Sequence, residues 1–93
     1  MLKVNEYFDG KVKSIALQTE TLPATVGAME AGEYEFGTSQ REVMTVVSGS
    51  MDALLPGATE WATFNAGDSF EVAANVTFQV KMAAQVAYFC TYG

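Results

Sequence analysis

The stretch that decides the fold is Gly32-Glu-Tyr-Glu-Phe-Gly-Thr-Ser-Gln-Arg-Glu-Val-Met-Thr-Val-Val-Ser-Gly49. Tyr34 and Phe36 alternate with Glu33 and Glu35, so Glu33–Phe36 reads as a strand with one aromatic and one charged face. Glu42–Val47 reads as a β-branched strand, and Gly49-Ser50 is a turn signal. Glu42 stands six intervening residues before Gly49. By parity it shares a face with Met44 and Val46, which points it inward with them.

The pattern outside this stretch is also β. Lys11–Leu17 alternates loosely, with Val12 and Ile15 as apolar anchors, and Ala24–Glu30 is a further candidate strand. Downstream, Met51–Leu55 closes at the turn dipeptide Pro56-Gly57. Glu60–Phe64 carries Trp61, and Asn65-Ala-Gly-Asp68 is another turn. Ser69–Val72, Val76–Met82 and Val86–Tyr92 complete the set. No segment carries a helical period, and the close spacing of turn signals predicts a sandwich or barrel. Thr19–Pro23 is the candidate mobile loop.

Ninety-three residues hold one core, so residues 1–93 are expected to form one domain. At 49% hydrophobic and 17% charged, the chain is apolar enough to fold and too apolar for a disordered tail. Five Lys and Arg against eleven Asp and Glu leave a net charge of −6, which argues against a nucleic-acid polymer or an anionic membrane as partner. One small anion at a local site remains compatible with that charge. Cys90 is the single cysteine, which precludes an intramolecular disulfide and fits a reducing cytoplasm. The N-terminus lacks the apolar run of a signal peptide, and no stretch approaches the ~20 apolar residues of a membrane span. A cytoplasmic protein is expected. A small β-rich chain has strand edges to protect, so a homodimer is expected too.

Glu42-x6-Gly49 is the frame of a cupin metal-binding strand pair, but the metal-binding histidines are missing. The chain contains no histidine. Phe36 and Thr38 stand where a cupin usually carries His-x-His. In the second segment, starting at Gly67, the histidine position falls on Phe78. One carboxylate, two phenylalanines and a threonine do not make a transition-metal site, so no metal is expected. The expected interior is an apolar, aromatic pocket holding one acid.

Over its whole length the chain resembles the pyrimidine/purine nucleoside phosphorylases, a family of small single-domain cupins. The segments that carry the resemblance are Asn5-Glu-Tyr-Phe-Asp-Gly-Lys-Val-Lys-Ser-Ile15, Val26-Gly-Ala-Met29, Gly32-Glu-Tyr-Glu-Phe36 and Glu42-Val-Met-Thr-Val-Val-Ser-Gly49. Leu54-Leu-Pro-Gly-Ala-Thr-Glu-Trp61 and the ending Tyr88-Phe-Cys-Thr-Tyr92 continue it. Ala73-Ala74-Asn75 departs from it, where a Pro-Gly-His turn is often seen. The resemblance implies an all-β cupin jelly roll of the RmlC-like type. It implies metal-independent phosphorolysis of purine and pyrimidine nucleosides to free base and (deoxy)ribose 1-phosphate, with phosphate as co-substrate and no cofactor. Adenosine, guanosine, inosine, uridine, cytidine and thymidine are the substrates it implies.

That chemistry needs a grip on phosphate, a group answering the charge of an oxocarbenium-like state, and a place to stack the base. Arg41, the only arginine, is the candidate phosphate ligand because guanidinium suits bidentate phosphate recognition. In a regular strand Arg41 and Glu42 face opposite sides, so both serve one site only if the strand begins at Glu42 or a second subunit completes the pocket. The alternative for Arg41 is a surface or dimer-interface arginine paired with a nearby glutamate. Glu42 is the candidate for ribose hydroxyls or for the developing positive charge; the alternative is a buried acid satisfied by backbone donors. Tyr34, Phe36 and Phe78 are the candidate stacking wall, with Thr38, Met44 and Tyr88 as further substrate contacts; each aromatic reads equally well as core. Tyr88, Cys90 and Tyr92 share one face of the last strand and Phe89 and Thr91 the other, and parity leaves open which face lines the barrel. Cys90 reads as a small core residue, and Lys11, Lys13 and Lys81 as solvated.

Composition and spacing leave the phosphorylase level with a non-catalytic cupin that binds a small aromatic or sugar-like ligand. A structural dimer with a closed barrel is a third reading. The family resemblance ranks the phosphorylase first.

Overall fold

The structure, a computed structural model, describes residues 1–93. Ten strands follow one another: β1 Lys3–Tyr7, β2 Val12–Gln18, β3 Pro23–Met29, β4 Gly32–Gly37, β5 Glu42–Ser48, β6 Ser50–Leu54, β7 Ala62–Asn65, β8 Ser69–Val72, β9 Thr77–Met82 and β10 Val86–Tyr92. They form a six-stranded sheet in the order β1-β2-β3-β10-β5-β8 and a four-stranded sheet in the order β4-β9-β6-β7. All pairings are antiparallel. The expected all-β jelly roll is what forms, and no helix is long and apolar enough to cross a membrane.

The two inner faces meet in one core. Val12 and Val46 from the larger sheet and Met51, Ala53 and Val80 from the smaller are completely buried. Period-two alternation produces this directly: in β9, Phe78, Val80 and Met82 are buried while Thr77 and Gln79 are exposed.

The sequence pattern misplaces three features. β1 lies in a segment whose polar alternation, Lys3-Val-Asn-Glu-Tyr7, gives no apolar run. Trp61 precedes β7 instead of sitting inside it, and its ring carries the Lys81 ammonium 4.2 Å from the centroid. Val12 and Ile15 cannot both be anchors, because they face opposite sides of β2. Val12 is buried with Ser14, whereas Ile15 is 42% exposed.

The expected mobile loop at Thr19–Pro23 is a closed turn. The Thr19 hydroxyl donates to the Leu22 carbonyl at 2.7 Å and accepts from the Leu22 amide at 3.0 Å. The β5–β6 turn requires glycine at position 49. Gly49 has φ +90°, and a Cβ there would lie 2.9 Å from the Gln85 carbonyl oxygen. Through this turn the chain passes from one sheet to the other, which leaves Glu42 on the inner face of β5.

Candidate active site

A cavity of about 190 Å³ lies between the sheets. From the larger sheet, β5 contributes Glu42 and Met44, and β10 contributes Tyr88, Cys90 and Tyr92. Tyr7, Ser14 and Met29 line it from β1, β2 and β3. The smaller sheet closes it with Phe36, Gly37 and Phe78.

Strand pairing explains why these groups converge. Glu42 lies opposite Tyr92 and Met44 opposite Cys90 in the β5–β10 ladder. Side chains opposite one another share a face, so the carboxyl, the thiol and the phenol gather on the inner side of one pair. Phe36 lies opposite Phe78 in the β4–β9 ladder, with ring centroids 5.8 Å apart. The Tyr88-Cys90-Tyr92 face is thus the one that lines the barrel, and the orientation that parity left open is resolved.

Gly27 seats the Tyr88 ring. A Cβ on Gly27 would meet the Tyr88 hydroxyl and ring at 2.7 Å and the Lys13 carbonyl oxygen at 2.5 Å. Rigid backbone cannot give by that much, so β3 accepts a phenol lying against it only because residue 27 has no side chain.

The electrostatics follow from burial around one acid. Removal from water pushes the Glu42 carboxyl above its ordinary value, and the Cys90 thiol, donating to Glu42 Oε1 at 3.6 Å, offsets part of that rise. Burial, reinforced by the neighbouring Glu42 charge, pushes the Cys90 thiol up to about 12. It remains an S–H donor and is not a nucleophile. Burial likewise pushes the Tyr88 phenol up to about 12, with the Ser14 hydroxyl countering part of the effect. The Tyr92 phenol also moves upward by burial, and it shares a 2.9 Å hydrogen bond with the Thr25 hydroxyl. The cavity therefore offers one carboxyl, several un-ionised O–H and S–H groups and aromatic rings. No lysine or arginine lines it.

Among the candidate residues, Glu42, Phe36, Met44, Phe78 and Tyr88 come together at this cavity, and Arg41, Tyr34 and Thr38 do not. β5 does begin at Glu42. Arg41 nevertheless turns away: its Nε donates to Glu71 Oε1 at 2.6 Å and its Nη1 to the Gly93 carbonyl at 3.2 Å. Glu71 is exposed on β8, so this is the surface pair that was the alternative reading of Arg41. Tyr34 donates to the Glu30 carbonyl at 2.8 Å and packs behind the cavity wall. Thr38 holds the 73–76 turn, donating to the Ala73 carbonyl at 2.7 Å and accepting from the Val76 amide at 3.1 Å. Asn75 reaches the left-handed φ of 60° that this turn needs. Because the guanidinium is committed to an exposed pair with Glu71, Arg41→Ala is expected to leave Tm nearly unchanged. Thermal melts of the two proteins check this.

Tyr7, Ser14, Met29, Gly37, Cys90 and Tyr92 are the lining residues that the sequence reading did not assign. For Cys90 and Tyr92 the signal was their shared face with Tyr88. For Ser14 it was parity with Val12.

The positions that hold metal in other cupins do not fit a metal here. Phe36 and Phe78 pack ring against ring, and the Thr38 hydroxyl is spent on the turn. What remains is Glu42 beside a protonated thiol, which is not a transition-metal donor set.

Residues 2–92 match the family model described as pyrimidine/purine nucleoside phosphorylase. A protein of that name from Marinobacter nauticus is 64% identical over 93 residues, covering 100% of both chains. Another from Hahella chejuensis is also 64% identical over 93 residues, covering 100% of both. The crystal structure of a protein of unknown function from Vibrio parahaemolyticus superposes with a TM-score of 0.96 at 39% identity, covering 100% of this chain and 99% of that one. An RmlC-like cupin from Shewanella frigidimarina superposes with a TM-score of 0.77 at 23% identity, covering 98% of this chain and 82% of the other, and bears on the fold alone.

Proposed function

The chain belongs to the pyrimidine/purine nucleoside phosphorylase family, and from that membership we propose that it converts purine and pyrimidine nucleosides and phosphate to free base and (deoxy)ribose 1-phosphate, with broad base tolerance and no metal. The observation that carries this reading is the placement of a single carboxyl, Glu42, beside Phe36 and Phe78 in a cavity between the sheets.

A phosphate oxygen attacks C1′ as the glycosidic C–N bond breaks. The bonding pair leaves on the base nitrogen, which takes up the proton that phosphate carried. Positive charge develops on the sugar between these events. An ionised Glu42 stabilises that charge, more strongly than in bulk water because it is partly buried. Phe36 and Phe78 receive the base by its π face, which every base presents, so tolerance needs no hydrogen-bond code. Ser14, Tyr88 and Tyr92 supply neutral donors for phosphate and ribose oxygens.

Base release from uridine and adenosine, with and without phosphate and in the presence of a chelator, tests the proposal. Release that requires phosphate and survives chelation is expected; no release, or release that chelation stops, overturns it. One observation favours a second reading. Without a cation in the cavity, a ligand-binding cupin that performs no chemistry fits as well electrostatically. That protein would be thermally stabilised by nucleoside and would release no base.

The family's assembly is proposed here as a homodimer built on the outer face of the larger sheet. Val4, Ile15 and Val26 lie opposite one another in register, and Phe89 continues the row. Val4 is 61%, Ile15 42% and Val26 47% exposed, a contiguous apolar row of the kind that marks contact sites. Sedimentation equilibrium is expected to give a dimer for the wild type and a monomer for Val26→Glu; a monomeric wild type refutes the assembly. A cytoplasmic address fits the buried free thiol of Cys90.

A further inference from the structure

The β1–β2 hairpin is anchored in an unusual way. β1 is an edge strand that pairs with β2 alone, from Lys3↔Ala16 to Tyr7↔Val12. Its tip holds Phe8 at φ 53° and Asp9 at φ 58°, followed by Gly10 at φ 82°. Two successive non-glycine residues in the left-handed region are a strained arrangement, and such strain concentrates at ligand clamps. The tip is closed by the Gly10 and Lys11 amides, each donating at 3.2 Å to the carbonyls of Tyr7 and Phe8.

From this tip Phe8 reaches across the gap to the other sheet. Its ring lies 5.0 Å from Tyr34 and 5.6 Å from Phe36, edge-on to the latter. Phe36 also lines the cavity, and so does Tyr7, the residue beside Phe8. Both tip aromatics are substantially exposed, Tyr7 by 49% and Phe8 by 43%, so the hairpin lies at the cavity mouth.

Register places Tyr7 and Glu42 on different rows of the larger sheet. The Tyr7 row runs through Val12 and Met29 to Val86 on β10, whereas the Glu42 row meets β10 at Tyr92. Tyr7 and Glu42 therefore enter one cavity from different rows, with Tyr88 reached by both. At about 190 Å³ that cavity falls below the roughly 300–1,000 Å³ common for small-molecule pockets, so a nucleoside needs the mouth to give way.

Resting on the phosphorolysis reading, we propose that Tyr7 contacts the base of the bound nucleoside and that Phe8, seated on Tyr34 and Phe36, is the positioning residue that holds Tyr7 over it. The ribose then lies toward Glu42, and the hairpin tip lifts to admit the substrate. Tyr7 and Phe8 thus govern nucleoside affinity and leave the phosphate requirement unaffected.

Steady-state kinetics with adenosine and uridine test this, with nucleoside and phosphate varied separately. Tyr7→Ala is expected to raise the nucleoside KM by roughly five- to a hundredfold, the range of one stacked base, with the phosphate KM unchanged. Tyr7→Phe should keep the wild-type value. Phe8→Ala should raise the nucleoside KM as well, and Phe8→Tyr should restore it, which a merely structural role in the hairpin would not require of KM. Thermal melts confirm folding, and Phe8→Leu replaces Phe8→Ala if the latter does not fold. Calorimetric titration of the same proteins with uridine, without phosphate, separates this inference from the function. A wild type that binds uridine but releases no base leaves Tyr7 supported if Tyr7→Ala weakens binding. Unchanged nucleoside KM and affinity in both alanine variants overturns the inference while the phosphorylase stands. A wild type that neither binds nor cleaves nucleosides overturns both.

Discussion

Glu42→Gln is expected to lower kcat for nucleoside phosphorolysis by roughly two to three orders of magnitude, the scale of losing one preorganised electrostatic group at the charge that develops. Gln has nearly the same shape and keeps the hydrogen-bonding oxygen beside Cys90 Sγ, so the loss isolates the charge. The pH dependence gives an independent reading. Burial places the folded Glu42 carboxyl above its ordinary value. The ionised form is the catalytic one, so kcat/KM should fall as pH drops through that raised value, at a higher pH than an exposed carboxylate would give. The glutamine variant should lack this acid limb. Stability runs the other way. The native state keeps a proton on Glu42 that the unfolded chain has already released, so the contribution of this group declines as pH rises from its ordinary value through its folded one. Gln cannot ionise, and the variant should be at least as stable as wild type at neutral pH. A pH–rate profile and a pair of thermal melts measure these effects; full turnover in the variant would remove Glu42 from the chemistry.

Phe78→Ala carries the largest expected stability loss, about 3–5 kcal/mol, the usual range for truncating a buried phenylalanine. Phe78 is 3% exposed, and its ring lies 5.8 Å from Phe36 and 6.1 Å from Phe70. It is therefore both a cavity wall and the link between the cavity and the Phe64–Phe70 pair behind it, whose centroids are 4.6 Å apart. For a chain of this size the loss corresponds to a fall in Tm on the order of 20 °C. Phe78→Leu restores most of the volume without the π face. That variant should recover most of the Tm while the nucleoside KM stays elevated, which separates packing from stacking. Calorimetric melts and nucleoside kinetics on the two variants decide it. A leucine variant with wild-type KM would make Phe78 a core residue only.

The sequence carried the site where alternation was strong and missed it where alternation was weak. Glu42 and Met44 lie on a β-branched strand that forces one parity, so their inward direction followed from sharing a face with Val46, and Phe78 was located by the cupin frame. β1 has no comparable pattern, because its one aliphatic residue, Val4, faces outward. Tyr7 and its role at the mouth were illegible for that reason. β2 offered two apolar residues of opposite parity, and only burial by the second sheet identifies Val12, hence Ser14, as inner. Arg41 was misdirected by its neighbour: adjacency to Glu42 in sequence is opposition across a strand, and the partner that claims it, Glu71, lies on a strand it meets only in the folded sheet. Thr38 occupies a metal-ligand position in the cupin frame, yet its hydroxyl answers to a turn thirty-five residues later, a contact no local pattern encodes.

Cys90 has a practical corollary. It is the only cysteine of the chain and is 1% exposed, with its thiolate disfavoured by burial and by Glu42. Maleimides react with accessible thiolates, so the native protein should be silent toward them at neutral pH. A single cysteine installed at the half-exposed hairpin tip would then be the sole labelling position, with no background substitution to make first. A fluorophore or spin label there would report the mouth opening in real time, in an otherwise native sequence.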